Sequence, residues 1–333
     1  MSNVQNLTVT ADEDGIRLDR WFKRHFPDLG HGRVEKLLRT GQVRVDGGRA
    51  KSSTRVEEGQ TIRVPPFGAA VTAKPQKTRS FVLSPEDVAK VQSMVVYRDE
   101  DIIAINKPPG LAVQGGSKVT SHLDGLLDGL KFDASERPKL VHRLDKDTSG
   151  IMLLARNAFA ASKLTAAFRT REVTKTYWAL VVGVPDPKAG QINASITKQG
   201  TAGNQRMAVT QLDGPSAISD FATIETAGRR VAWLALRPLT GRTHQLRVHC
   251  GVLGTPILGD GKYGGEEAFI DGLPGPRKLH LHARSVEFDH PRGGRMIHEA
   301  PLSKDMEKTW RFFGFDPTET GDAFAELELG AKR

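Results

Sequence analysis

The sequence predicts an α+β fold in which a small mixed α/β domain of two helices and a hairpin precedes a larger domain built on a mixed, mainly antiparallel central sheet. Three observations predict it. Helical periodicity followed by a hairpin pattern fills the first sixty or so residues. From about Ser84 the chain turns to short apolar strands separated by Gly and Pro loops. The length of 333 residues, with 38% hydrophobic and 26% charged side chains, suits two globular domains, one able to bury a sizeable core.

In chain order, Leu18, Trp21, Phe22 and Phe26 recur at helical spacing, and a second short helix is expected from Gly32 to Thr40, with Gly41 as its stop. Gln42 to Val45 alternates as a strand, Asp46-Gly47-Gly48 supplies a tight turn, and Thr61 to Val64 gives another strand. This first domain is expected over 15–65, with a Pro-, Ala- and Lys-rich linker over 66–83. The second is expected over 84–316, with strands at Met94–Tyr97, Ile102–Asn106, Ile151–Ala155, Lys175–Val182, Val231–Arg237 and Ala283–Phe288. Asn157 caps a helix to Thr170 with Ala160, Leu164 and Phe168 on one face. A second helix, carrying Leu246, Cys250 and Leu253 inward, follows the turn Pro238 to Gly241 and ends at Gly254. Residues 317–333 read as an acidic, alanine-rich tail.

The single cysteine, Cys250, excludes an intramolecular disulfide framework, and the N-terminus lacks the basic start and apolar stretch of a signal peptide. No run reaches membrane-spanning length. A cytoplasmic monomer with no membrane association is the expectation. A net charge of +9, concentrated after the acidic run Asp12 to Asp14 in residues 17–79, points to a polyanionic partner.

The segment Val141-His-Arg-Leu-Asp-Lys-Asp-Thr-Ser-Gly150 crowds ionisable groups directly against the apolar strand Ile151–Ala155, which marks a candidate site. Taken alone it also reads as a surface turn closed by Thr148-Ser149-Gly150. Further motifs decide the matter: "NKPPGLAV" at Asn106–Val113, "KTYWALV" at Lys175–Val181, "GRTHQLRVH" at Gly241–His249, "GDGKYGG" at Gly259–Gly265 and "LHLHA" at Leu279–Ala283. With "HRLDKDTSG" these resemble the signature strings of the pseudouridine synthases acting on large-subunit ribosomal RNA and related tRNA sites. "RLDRWF", "RVEKLLRTGQVRVDG" and "VEEGQTIRV" in turn resemble the alpha-L RNA-binding domain first known from a small-subunit ribosomal protein. "AVQGGSK" at Ala112–Lys118 is similar to the C-type branch of the large-subunit enzymes, with the D type and a tRNA-acting relative as alternatives.

The resemblance implies an isomerase that converts uridine to pseudouridine in RNA, most directly ribosomal RNA of the large subunit or its assembly intermediates. It implies Asp145 as the catalytic carboxylate, Tyr177 as the ring that stacks on the extracted uracil, and Arg242 as the cation paired with Asp145. Arg143 is implied to help extrude the nucleotide, with Lys175 beside it contacting RNA. In the first domain, Arg33, Lys36, Arg39 and Arg44 are implied to face RNA; by themselves they also fit a solvated helix face.

These roles fit the chemistry. The reaction breaks the bond from ribose C1' to uracil N1 and remakes it to C5, so no electrons or phosphates are exchanged and no cofactor is expected. A carboxylate can attack sugar or base, or remove a ribose proton, and in each version an adjacent arginine keeps it charged. A stacked uridine must first be flipped out at a cost of a few kcal/mol, while stacking on an aromatic ring returns about 1 to 3 kcal/mol. Strand alternation puts Lys175, Tyr177, Ala179 and Val181 on one face. His244, Arg247 and His249 could support the site or touch RNA.

Other classes fare worse. His244 with His249, and His280 with His282, lack the further ligands of a metal site, so none is expected. The glycine strings lack the Lys-Ser/Thr pair of a nucleotide loop. A glycoside hydrolase needs a second carboxylate across the substrate, for which Asp147 is the nearest candidate. A non-catalytic ribosome-assembly factor would not need Asp145, Tyr177 and Arg242 together.

Overall fold

The computed structural model describes residues 4–66, 83–115, 121–200, 206–210, 214–318 and 323–324. The linker expected at 66–83 lies outside these except at its ends, as do positions 116–118 of the "AVQGGSK" string and most of the tail from 317. The chain divides into two compact units, one within 1–81 and one within 82–333.

The first unit contains β1 (Gln5–Thr8), α1 (Leu18–His25), α2 (His31–Arg39), β2 (Arg44–Val45) and β3 (Thr61–Val64). Its sheet order is β1-β3-β2, all antiparallel. Strand β1 lies ahead of residue 15 and was not expected, because a four-residue QNLT segment carries no readable alternation. Leu18, Trp21 and Phe22 of α1 meet Val34, Leu37 and Leu38 of α2 over Ile62 and Val64 of β3. A buried Glu13 anchors this core, accepting from Trp21 Nε1 at 3.0 Å and pairing with His25 Nε2 at 2.6 Å. Asp46 and Gly47, with φ of 48° and 74°, form the tight turn that joins Val45 to Gly48.

The second unit runs α3 (Pro85–Gln92), β4 (Val95–Arg98), β5 (Ile102–Lys107), α4 (Leu123–Leu126), β6 (Lys139–Leu140), β7 (Ser149–Ala155), α5 (Ala158–Thr170), β8 (Thr174–Val182), β9 (Ala189–Asn193), β10 (Ile196–Gln199), β11 (Arg206–Val209), β12 (Ile218–Ala227), β13 (Val231–Pro238), α6 (Gln245–Val252), β14 (Leu281–Asp289), β15 (Arg295–Glu299) and α7 (Lys304–Phe312). A ten-stranded sheet orders β4-β5-β7-β14-β8-β13-β12-β9, with β15 on β14 and β6 on β7. Only the β7 to β14 pairing is parallel within it, so the expected mixed, mainly antiparallel α+β sheet is present. Helices α3 and α7 and the strands β9 to β12 and β15 were not anticipated. Their apolar positions are few or half-buried, although Ser84-Pro85-Glu86-Asp87 was a readable capping box for α3.

Alternation divides the sheet between two helices. Ala179, Val181, Leu234 and Leu236 pack with Leu246 and Cys250 of α6. The intervening Trp178, Leu180 and Trp233 pack with Met306 and Trp310 of α7. Each fully buried large side chain of these layers contributes about 1.5 to 3 kcal/mol. Tyr177 therefore belongs to the α6 face, as strand alternation required.

The end of the "HRLDKDTSG" segment is fixed by Gly150, which pairs with Lys107 on one side and Ala283 on the other. Its φ is 110°, and a Cβ there would lie 2.2 Å from the Ala283 carbonyl oxygen. Only glycine allows the two strands to close at this point. Gly150→Ala is expected to lower the unfolding free energy by at least about 3 kcal/mol, measurable by urea denaturation; a loss below about 1 kcal/mol would show that the strands separate freely here.

Candidate active site

A cleft of about 330 Å³ opens on the α6 face of the sheet, and its walls come from three distant parts of the chain. The loop before β7 supplies His142, Arg143 and Asp145, strand β8 supplies Lys175 and Tyr177, and the start of α6 supplies Arg242, His244 and Arg247. The volume falls within the range of small-molecule sites. Among the described residues that line it, Asp145 is the one acid. Asp147 is exposed and lies outside the lining, which removes the paired carboxylate that glycoside hydrolysis requires.

The carboxylate loop is held from below by Lys107. Its side chain is completely buried, and its ammonium donates to the carbonyls of Pro108, Leu111 and Lys146 at 3.0, 2.9 and 3.0 Å. The Lys146 carbonyl also accepts from Gly110 N at 2.9 Å, so the peptide joining Asp145 to Asp147 is fastened to the "NKPPG" segment twice. Burial lowers the Lys107 pKa to about 8 against the pull of Asp147 and Asp145. Across the loop, His142 stacks on Phe168 with ring centroids 4.2 Å apart, and its Nε2 accepts from Leu153 N at 2.8 Å. Burial, aided by the Lys175 charge, holds that imidazole neutral.

Tyr177 and Lys175 project into the cleft beside the carboxylate. Burial and the Asp145 charge hold the Tyr177 phenol protonated, well above its ordinary range. Burial and Arg171 lower the Lys175 ammonium pKa. Arg143 stands exposed at the cleft wall.

The expected Arg242–Asp145 ion pair is absent among the described residues. Arg242 is exposed at the cleft wall, and its Nε donates instead to the Ser216 carbonyl at 3.1 Å. Its position in the turn explains this: Arg242 N donates to Gln245 Oε1 at 3.0 Å as the chain enters α6, and the side chain leaves toward the 216–218 segment. The group that faces Asp145 is His244, with Nε2 3.9 Å from Oδ2. Behind it, Arg247 lines the cleft and is locked by the buried Asp260 at 2.7 and 2.6 Å, with its guanidinium over the Tyr263 ring at 4.9 Å. Asp260 and Tyr263 come from the "GDGKYGG" string, whose glycines alone were weighed for a nucleotide loop. The i, i+3 spacing of His244 and Arg247 was the available signal that both belong to one face.

His249, by contrast, is 1% exposed and cannot touch RNA. His280 and His282 are engaged within the core: His280 Nε2 with Thr309 Oγ1 at 3.1 Å, and His282 with Ser149 Oγ at 2.9 Å and the Ala300 carbonyl at 3.0 Å. Cys250 is buried and its thiol is pushed up to about 12. In the first unit, Arg33, Lys36 and Arg39 lie on the exposed side of α2. Arg44 is partly spent on its own turn, donating to the carbonyls of Gly41 and Gly47.

Comparison with known proteins bears on this arrangement. Residues 101–251 match the sequence family described as RNA pseudouridylate synthase. The chain is 37% identical to the ribosomal large subunit pseudouridine synthase C of Rickettsia typhi over 85% of this chain and 92% of that protein. The chain belongs to the RNA pseudouridine synthase family. RNA pseudouridine synthase 4, mitochondrial, of Arabidopsis thaliana is 35% identical over 92% of this chain and 77% of its own length. Among solved structures, human RNA Pseudouridylate Synthase Domain Containing 4 superposes with a TM-score of 0.57 at 26% identity, covering 69% of this chain and 97% of that one. The pseudouridine synthase fold and activity, the isomerisation of uridine in RNA, are thus those of this chain.

Lys107 generates a stability prediction whose sign follows from its lowered pKa. Lys107→Met should destabilise the protein by about 2 to 4 kcal/mol at pH 7, because the carbonyls of Pro108 and Leu111 lose this donor and that of Lys146 keeps only Gly110 N. A folded pKa near 8 beneath the ordinary 10.5 means the unfolded chain binds the proton more tightly. Wild-type stability relative to the variant should therefore rise between about pH 8 and 10.5. Urea titrations at both limits measure it, and a gap that narrows with pH contradicts the assignment.

Proposed function

We propose that Asp145 is the catalytic carboxylate and that the cleft receives a uridine flipped out of structured RNA, with large-subunit ribosomal RNA as the substrate. The observation that carries this reading is the convergence of Asp145, Tyr177, Lys175 and Arg143 on one cleft from separate segments of the chain. A lone acid beside Arg143, Lys175 and Arg242 suits a nucleotide: the exposed arginines suit phosphates while the acid is left to the sugar or base. Tyr177 supplies an aromatic surface for the uracil, and Arg143, exposed at the wall, is placed to occupy the vacated stack. The ribosomal assignment rests on the relatives named for large-subunit RNA, of which the Rickettsia typhi protein is one.

In the first unit, α2 turns Arg33, Lys36 and Arg39 to one exposed side while Val34, Leu37 and Leu38 face the core. We assign this unit as an alpha-L type RNA-binding domain that supplies affinity, with the cytoplasm as the site of action.

Asp145→Ala should lower kcat by roughly 10²- to 10⁴-fold and leave RNA affinity within about tenfold, or about 1.4 kcal/mol, as read by pseudouridine mapping and filter binding. Wild-type turnover in that variant would exclude the mechanism. Replacing Arg33, Lys36 and Arg39 together by Gln should weaken RNA binding and reduce the slope of log affinity against log salt by about 0.7 to 0.9 for each phosphate left unneutralised. An unchanged slope would remove α2 from the RNA interface.

A further inference from the structure

His244 Nε2 lies within 4 Å of the Asp145 carboxylate, yet the expected chemistry gave it no defined task. It sits at the entry to α6 with a φ of 55°, a left-handed conformation unusual for histidine and retained only where the surroundings impose it. Its two ring nitrogens face different partners. Nδ1 lies 2.6 Å from the Tyr263 hydroxyl, and Nε2 lies 3.9 Å from Asp145 Oδ2.

The Tyr263 hydroxyl bears on the tautomer. The Tyr263 hydroxyl oxygen accepts the Met207 backbone N–H at 3.2 Å. Among the described residues the other hydrogen-bond partner of that hydroxyl is His244 Nδ1, which accepts the phenol proton in one of the two imidazole tautomers. A neutral imidazole that accepts at Nδ1 carries its proton on Nε2, the nitrogen aimed at the carboxylate. The charges around the ring agree with a neutral form: burial lowers its pKa, Arg247 and Lys262 lower it further, and Asp145 and Asp260 oppose them. Arg247 is itself immobilised by Asp260, so the Tyr263 ring that carries the hydroxyl is packed against a fixed guanidinium.

We propose that His244 is a positioning residue for the isomerisation, presenting an Nε2–H, set by the Tyr263 hydroxyl, that orients the Asp145 carboxylate toward the flipped nucleoside. The proposal rests on Asp145 as the catalytic carboxylate. At 3.9 Å the contact is longer than a hydrogen bond, so the role requires it to shorten by about 1 Å with the nucleoside bound. The relay also ties the site to strand β11, because the Met207 N–H that occupies the phenol oxygen belongs to the β10–β11 pair. Displacing that strand frees the phenol oxygen and with it the choice of tautomer.

The test compares His244→Asn, His244→Gln and Tyr263→Phe in the full chain, with Asp145→Ala as the reference. Turnover is followed by tritium release from RNA labelled at uridine C5 and prepared from cells lacking the gene. Asn tolerates the left-handed backbone but is too short to reach Asp145, whereas the Gln amide reaches as far as Nε2. We expect His244→Asn to lower kcat by roughly 10- to 100-fold with KM unchanged, and to move the acid limb of the kcat profile to higher pH, because a donor favouring the ionised acid is gone. His244→Gln should recover most of the loss and keep the wild-type limb, and Tyr263→Phe should fall between. Wild-type kcat and acid limb in His244→Asn, or equal losses in the Asn and Gln variants accompanied by a lowered Tm, overturn the proposal. If Asp145→Ala is inactive while His244→Asn is normal, only the role of His244 fails; if Asp145→Ala is active, the reading beneath it fails.

Discussion

A completely buried ammonium, that of Lys107, sits at the junction on which the geometry of this enzyme depends. It fastens the peptide between Asp145 and Asp147 to the turn that follows β5, while Gly150 lets the same segment enter the sheet between Lys107 and Ala283. A charged, partly exposed loop would otherwise sample many conformations. Fastened at Lys146 and at Gly150, it presents its carboxylate at one place. The three backbone hydrogen bonds offset part of the desolvation of the ammonium, and charge assistance makes them stronger than neutral ones.

From that fixed point the cleft is assembled by sheet order rather than by chain order. Strand β14 separates β7 from β8, so the loop before β7 and the side chains of β8 meet across one strand. Alternation along β8 then selects Lys175 and Tyr177 for the α6 face and sends Trp178 to the α7 side. The turn before α6 brings His244 and Arg247 to the same cleft. The cleft thus brings an aromatic ring, several cations and one acid together from separate segments.

The electrostatic arrangement differs from the simple pair of acid and arginine. The arginine nearest in sequence to the expected role, Arg242, is directed to a backbone carbonyl. The buried arginine, Arg247, is neutralised by Asp260 and shapes the site at longer range. The ionisable group that faces Asp145 is an imidazole hydrogen-bonded to a tyrosine. A neutral donor orients a carboxylate without holding it in an ion pair, which leaves the acid available to the substrate.

Much of this was legible from the chain alone. Strand alternation placed Tyr177 and Lys175 on one face, the Asn157 cap began a helix, and the crowding of charges against Ile151–Ala155 marked the loop, because these signals are local; within that loop it was the resemblance of "HRLDKDTSG" to a family signature that singled out Asp145. Strand β1, the half-buried strands β9 to β12 and helix α7 were not legible, since their few apolar positions acquire meaning only against distant partners. The partner of Asp145 was the least legible of all. Whether Arg242, His244 or Arg247 meets the carboxylate turns on the left-handed backbone of His244 at the entry to α6 and on Asp260 and Tyr263 from a separate loop. One residue of rotation about a helix start redirects a side chain by about 100°, and only the tertiary structure decides it.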